Sequence, residues 1–216
     1  MTVSVEVVSD VVCPWCYIGK RRLEQALELL ASEEPGLAVD VVWAPFQLNP
    51  QLPAEGVARV AYLAQKFGTR APQVYQRVSE AGRSVGIDFA FDRIVRQPNT
   101  VPAHQLIDLA RTADRQDEMV ETLFRAYFLD GKDLSQTDNL VALAQAAGLD
   151  GDAARGALQD AGHRKAIIEQ DEQARALGVS GVPFFIFARQ LGVSGAQEPA
   201  VLVRALREAA TASASH

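Results

Sequence analysis

Cys13 and Cys16 are the only cysteines among 216 residues, and they lie three positions apart in "VVCPWCYIGK". Random placement of two cysteines gives this separation in about one case in a hundred, so coincidence is a poor account of the pair. A structural disulfide across so short a loop would constrain the unfolded chain very little. Two thiols at this spacing are suited instead to forming and breaking a bond between themselves. If Cys13 caps a helix, Pro14 falls at the first helical position, where its missing N–H costs nothing. The N–H groups of Trp15 and Cys16 then point at the Cys13 sulfur. Together with the positive end of the helix dipole they favour its thiolate below the usual value of ~8.5. Cys13 is therefore expected to be the exposed, attacking sulfur.

Cys16 falls on one helical face with Leu23, Leu27 and Leu30 and is expected to be more buried. Residues three apart on a helix have Cβ atoms ~5–6 Å from one another, wider than a relaxed disulfide prefers. A bond between the two sulfurs is thus expected to be readily reduced, with Cys16 resolving mixed disulfides made at Cys13. Two alternatives stand beside this reading. The cysteines can be small apolar residues packed at a helix start, or half of a zinc site. The sequence supplies no second cysteine pair, and His104, His163 and His216 are far apart in the chain, so redox chemistry leads.

The elements that must position the pair follow from periodicity. "TVSVEVVSD" reads as a strand through Val3, Val5 and Val7, and the following helix is expected to stop at "SEEPG". "LAVDVVWAPF" gives a second strand, completing a β-α-β opening that favours parallel strands. The next hundred or so residues show no convincing strand. Val57, Val60, Ala61, Ala64 and Phe67 mark one amphipathic helix, and Val74, Val78, Ala81 and Val85 another. "NTVPAHQLIDLARTA" has Asn99 or Thr100 as cap before Pro102. Further helices are read through Met119, Leu123, Tyr127 and Phe128, from Thr137 to near Gly148, and through Ile167, Ala174 and Leu177. "VPFFIF" and "QLGVSG" suit a hairpin, "EPAVLVRALREAA" a last helix, and "TASASH" a frayed tail. Trp43 is expected in the core and Trp15 as an exposed apolar platform. Lys20, Arg21 and Arg22 read as solvated, although Lys20 shares a helical face with Cys13.

The net charge of −6 argues against nucleic acid as a partner. No apolar run reaches the ~18 residues that indicate a membrane span. The first residues lack a basic stretch followed by an apolar one, so the expected location is cytoplasmic. Oligomeric state is left open by the sequence.

At "CPWCYIGKRR" the chain resembles the DsbA family of thioredoxin-like proteins, in particular its FrnE-like branch. The similarity extends through "VWAPFQLNP", "PNTVPAH", "GVSGVPFFIF" and "VSGAQ", and so over essentially the whole length. It implies an α/β, thioredoxin-like fold with a large all-helical insertion. Residues 1–50 and 160–216 would form the discontinuous thioredoxin-like domain, and 51–159 the insertion. It also implies an oxidoreductase acting on protein or small-molecule thiols and disulfides. By the same resemblance Pro183 carries a cis peptide bond opposite the cysteines, and Val182 offers a backbone edge to an extended substrate beside Pro14 and Trp15. His104 belongs to a segment that faces the cleft in related proteins. Periplasmic DsbA has histidine where this chain has Trp15. A neutral indole does not stabilise a thiolate as an imidazolium does, which predicts a less oxidising pair. No cofactor is required, while glutathione stays open as a co-substrate. A second class, the 2-hydroxychromene-2-carboxylate isomerases and kappa-class glutathione transferases, shares this architecture but generally has serine at the place of Cys13.

Overall fold

The computed structural model describes residues 2–214. β1 (Thr2–Ser9) leads through the turn at Asp10 into α1 (Pro14–Glu33), and β2 (Ala38–Pro45) returns parallel to β1, with Val5 opposite Val41. β5 (Phe184–Phe187) pairs antiparallel to β1, and β6 (Leu191–Ser194) antiparallel to β5, giving the sheet order β2-β1-β5-β6. Ala188 and Arg189 both have positive φ, 48° and 57°, the conformation of a tight hairpin turn whose twist matches the strands. The β-α-β opening and the hairpin are those expected from the periodicity.

Both faces of this sheet are covered, which explains why Val7 and Val8 are buried side by side. Val3, Val5, Val7, Phe185 and Phe187 face a large core shared with α1 and with α9 (Pro199–Ala214). Val8 points the other way, into a smaller cluster with Phe46, Ala174 and Val179 beneath α8 (Ala161–Ala176). α9 continues through residues 211–214, so that part of the expected frayed tail is helical; residues 215–216 lie outside the described residues.

Between β2 and α8 the chain is mainly helical: α2 (Arg59–Phe67), α3 (Ala71–Arg83), α4 (Val101–Arg111), α5 (Gln116–Phe128), α6 (Thr137–Ala146) and α7 (Gly151–Gln159). Thr100 is the residue before α4, but the Asn99 side chain accepts the Val101 N–H at 3.1 Å and performs the capping. Three features depart from the sequence reading. α7 is an additional helix, started by the Asp150 carboxylate accepting from the Ala153 N–H. Two short strands, β3 (Val57–Ala58) and β4 (Arg96–Gln97), form an antiparallel ribbon in the segment expected to lack strands. α2 begins after Val57, and Val60 is 81% exposed, because the inward face runs through Arg59, Tyr62 and Leu63. Gly56 (φ +66°) makes the ribbon possible: a Cβ there would lie 2.4 Å from the Gln97 carbonyl oxygen. Among the described residues no helix is long and apolar enough to cross a membrane.

Candidate active site

Cys13 stands at the junction of β1 and α1. Its backbone is extended (φ −93°, ψ 110°) and its N–H donates to the Asp10 carbonyl at 2.9 Å, fixing the turn between strand and helix. Asp10, fully buried, ties this turn to the loop after β2: its carboxylate accepts the Leu48 N–H at 2.7 Å and the Val12 N–H at 3.5 Å. From the opposite side comes the loop before β5, where the Val182–Pro183 peptide is cis. Gly19 lets α1 approach it, since a Cβ there would meet Pro183 at 2.9 Å. The result is a Cys13 Sγ that donates to the Val182 carbonyl at 3.5 Å.

This geometry modifies two expectations. The Cys13 sulfur makes no helix-capping bond, because its thiol is turned toward Val182 and the Cys16 N–H instead donates to the Cys13 carbonyl at 3.0 Å. Nor is Cys13 exposed. It is 5% accessible and is reached through a cavity of about 310 Å³, whose walls come from the first turn of α1, from Val182, and from α2 and α3. The helical segment that covers the sulfur was not seen to do so in the sequence.

Cys16 is 1% accessible and does not line this cavity. Both cysteines are free thiols. Burial first, and then the neighbouring Cys13 sulfur, push the Cys16 thiol well above its ordinary value, while hydrogen bonds from the Ser9 side chain and the Asp10 backbone oppose that shift. The two sulfurs thus occupy unlike settings, one in the cavity wall and one sealed in the core.

Trp15, 40% exposed, and Pro14 line the same cavity with Val182, whereas Pro183 is buried behind it. His104 is elsewhere. It is buried, with Nε2 3.1 Å from the Phe46 carbonyl and 3.7 Å from Asp10 Oδ1, so it braces the loop after β2 and does not line the cavity. Among the lining residues that the sequence reading did not place at the site, four carry polar groups: Arg59, Tyr62, Lys66 and Tyr75. The spacing of 59, 62 and 66 is helical, but a search for apolar stripes passes over it. Trp43 is in the core as expected, with Nε1 donating to Asp117 at 3.3 Å.

Lys20 is a correction. Expected to be solvated, its side chain is 3% exposed and is held by Glu24 at 2.5 Å, Asp117 at 2.9 Å and Glu121 at 3.6 Å. Burial alone would lower its value, but Asp117 and Glu24 outweigh burial and hold the ammonium above the ordinary lysine range. Arg21 joins the cluster by pairing with Glu24 at 2.8 Å and with Glu121. Among the described residues, no three His, Cys, Asp or Glu side chains converge as a metal site.

Comparison with known proteins agrees with this architecture. The model of the DSBA-like thioredoxin domain matches residues 4–207. A probable DsbA oxidoreductase from Streptomyces coelicolor superimposes with a TM-score of 0.86 at 32% identity, covering 96% of this chain and 89% of that one. An uncharacterized protein of Bacillus subtilis (strain 168), YwbO, is 28% identical over 193 residues, 86% of this chain and 87% of its own. A 2-hydroxychromene-2-carboxylate isomerase shares the fold at 16% identity, with a TM-score of 0.74 and 98% of both chains covered.

Proposed function

Because the chain belongs to the DsbA-like thioredoxin domain family, we propose that it is a thiol-disulfide oxidoreductase that works through Cys13 and Cys16. The observation that carries this reading is the asymmetry of the pair: one sulfur lies in a cavity wall and the other is sealed one helical turn away. In the reductive direction the Cys13 thiolate attacks one sulfur of a substrate disulfide. The substrate S–S bond breaks, a mixed disulfide forms at Cys13, and the leaving thiolate takes a proton from solvent. Cys16 then gives up its proton and attacks the Cys13 sulfur, releasing the second substrate thiol. Two electrons have passed to the substrate, and the enzyme is left with a Cys13–Cys16 disulfide. The reverse sequence oxidises a dithiol. The raised value of Cys16 suits the order of events, since a resolving thiol that stays protonated does not compete for the incoming disulfide.

In this reading Pro14 and Trp15 supply an apolar wall for the substrate, the Val182 backbone offers it a partner strand, and Pro183 sets the direction of that edge. His104 acts at one remove, by holding the loop at Phe46. The nucleophile belongs to the thioredoxin-like part, 1–50 and 160–216, and most of the cavity roof to the insertion, 51–159. Protein or small-molecule thiols and disulfides are the partners, glutathione is a co-substrate and not a resident cofactor, and the compartment is the cytoplasm.

Dithiol-dependent reduction of insulin tests the assignment. Cys13→Ser is expected to lose at least about a thousandfold in rate, while Cys16→Ser accumulates a mixed disulfide at Cys13. Full activity in Cys13→Ser would overturn it. The cavity volume, close to that of a small ligand, favours one second reading, a glutathione-dependent isomerase or transferase. Glutathione conjugation that survives Cys13→Ser would select that reading.

A further inference from the structure

The cavity over Cys13 carries a charge imbalance that disulfide exchange by itself does not require. Its lining includes two cations, Arg59 and Lys66, and no Asp or Glu, in a chain whose net charge is −6. Arg59 is 6% exposed and is the first residue of α2, the helix end where a cation is least favoured. Its guanidinium donates to the Gln97 side-chain oxygen, to the Tyr127 hydroxyl at 3.3 Å and to the Tyr75 hydroxyl at 2.5 Å. These partners are neutral, and among the described residues no carboxylate pairs with it. Hydrogen bonding is met, and the Tyr62 and Tyr75 rings, 5.6 and 5.7 Å from the guanidinium, offset part of the charge, but no anion neutralises it, and a buried ion without a counter-charge is costly.

The surroundings are also arranged to receive something. Tyr75 accepts from Arg59 and so keeps its own hydroxyl hydrogen for a further acceptor, which no described residue supplies. Lys66, exposed and lining the same cavity, donates to the Tyr62 hydroxyl at 2.6 Å and lies over the Tyr62 ring at 5.2 Å. The backbone of Arg59 is fixed independently of any ligand: its N–H donates to the Val95 carbonyl at 2.9 Å, extending the β3–β4 ribbon.

We propose that Arg59, with Tyr75 and Lys66, forms a carboxylate subsite facing Cys13, so that the preferred substrates are acidic thiols and disulfides. This rests on the oxidoreductase reading above and specifies its substrate class. A cavity of about 310 Å³ holds one tripeptide-sized half of a disulfide, with its sulfur at Cys13 and its carboxylate at Arg59. Glutathione disulfide presents that chemistry, as does an acidic residue flanking a cysteine in a protein. With glutathione disulfide the reduced enzyme gives up two electrons, becomes the Cys13–Cys16 disulfide and releases two glutathione thiols.

The test is the single-turnover rate of pre-reduced full-length protein with three disulfides: glutathione disulfide, its carboxylate esters, and neutral hydroxyethyl disulfide. The free acid is expected to react at least about tenfold faster than the ester at low salt, and the ratio to shrink as salt is added. Arg59→Gln should bring the acid-to-ester ratio down to the two- to threefold that Lys66 supplies, and the surface variant Lys66→Ala should lower the original ratio by that same two- to threefold. Equal rates for acid and ester in the unmodified protein would overturn the proposal, whichever variants fold. Failure to reduce hydroxyethyl disulfide as well would instead remove the oxidoreductase reading. A pair of peptide disulfides with Glu or Gln beside the cysteine separates the two sources. A Glu preference assigns the subsite to protein flanks, and a preference confined to glutathione disulfide assigns it to a small molecule.

Discussion

Two buried cations divide this molecule into a region that is electrostatically complete and one that is not. Lys20, on α1, is surrounded by Glu24 of the same helix and by Asp117 and Glu121, which join the helix to α5. Arg59, on α2, meets neutral oxygens and the faces of Tyr62 and Tyr75, and among the described residues no carboxylate pairs with it. A cation that is matched within the chain ties elements together. One left unmatched beside a nucleophile is available to a ligand. On the subsite proposed above, the difference separates a structural use of buried charge from a functional one, although both residues are similarly hidden from solvent.

The largest effect that can break this comparison is on stability. Lys20→Met leaves Glu24, Asp117 and Glu121 with Arg21, among the described residues, as their one remaining cation and is expected to cost about 2–3 kcal/mol in urea unfolding, less than a fully buried pair would because its acidic partners are partly exposed. Arg59→Met removes an uncompensated charge and is expected to cost less than half as much. Equal losses would erase the distinction.

The pH dependence of unfolding sharpens it. In the Lys20 cluster, burial pushes the Glu24 carboxyl up, but Lys20 and Arg21 overcome this and hold it below the usual carboxylate range. Its contribution is therefore present above about pH 4.3 and is lost as pH falls through the lowered folded value. Near the cavity, Cys16 is raised, so the unfolded chain ionises first. Stability of the reduced protein should then fall as pH rises beyond about 8.5, while the disulfide form lacks that loss. Subtracting oxidised from reduced unfolding curves cancels the tyrosines, including Tyr17, whose burial pushes it up to about 12. A reduced form no more alkali-sensitive than the oxidised form would contradict the burial argument for Cys16.

The smallest effect concerns the uncharged wall. Trp15→Ala should raise KM for an insulin-type substrate two- to threefold with little change in kcat, less than the acid-to-ester preference assigned to Arg59. A larger loss would mean that apolar contact, and not charge, dominates recognition.

Much of the frame was legible. β1, α1 and β2 follow from a change of period at Cys13, and the β5–β6 hairpin from two apolar runs around Arg189 and Gln190. The motif also singles out Cys13 and the proline loop, which the structure brings together through the Cys13 contact with the Val182 carbonyl. What was hidden falls into two physical classes. β3 and β4 are two residues each, too short for any periodicity to register, and α7 is poor in large apolar residues, so that Asp150 was its main local sign. Arg59 and Lys20 were missed because a charged residue reads as solvated until tertiary structure buries it. His104 was placed by analogy with a cleft-facing segment, whereas its ring packs against the Phe46 carbonyl.

The glycine at 56 has a bearing on how these roles are divided along the chain. A side chain there would collide with the Gln97 carbonyl oxygen and so disturb the pairing of β3 with β4, whereas none of the atoms it would meet belongs to the turn between β1 and α1 that holds Cys13. On the roles proposed above, reactivity and selectivity sit on separate stretches of chain, so that altering one ribbon would change the clientele without rebuilding the nucleophile.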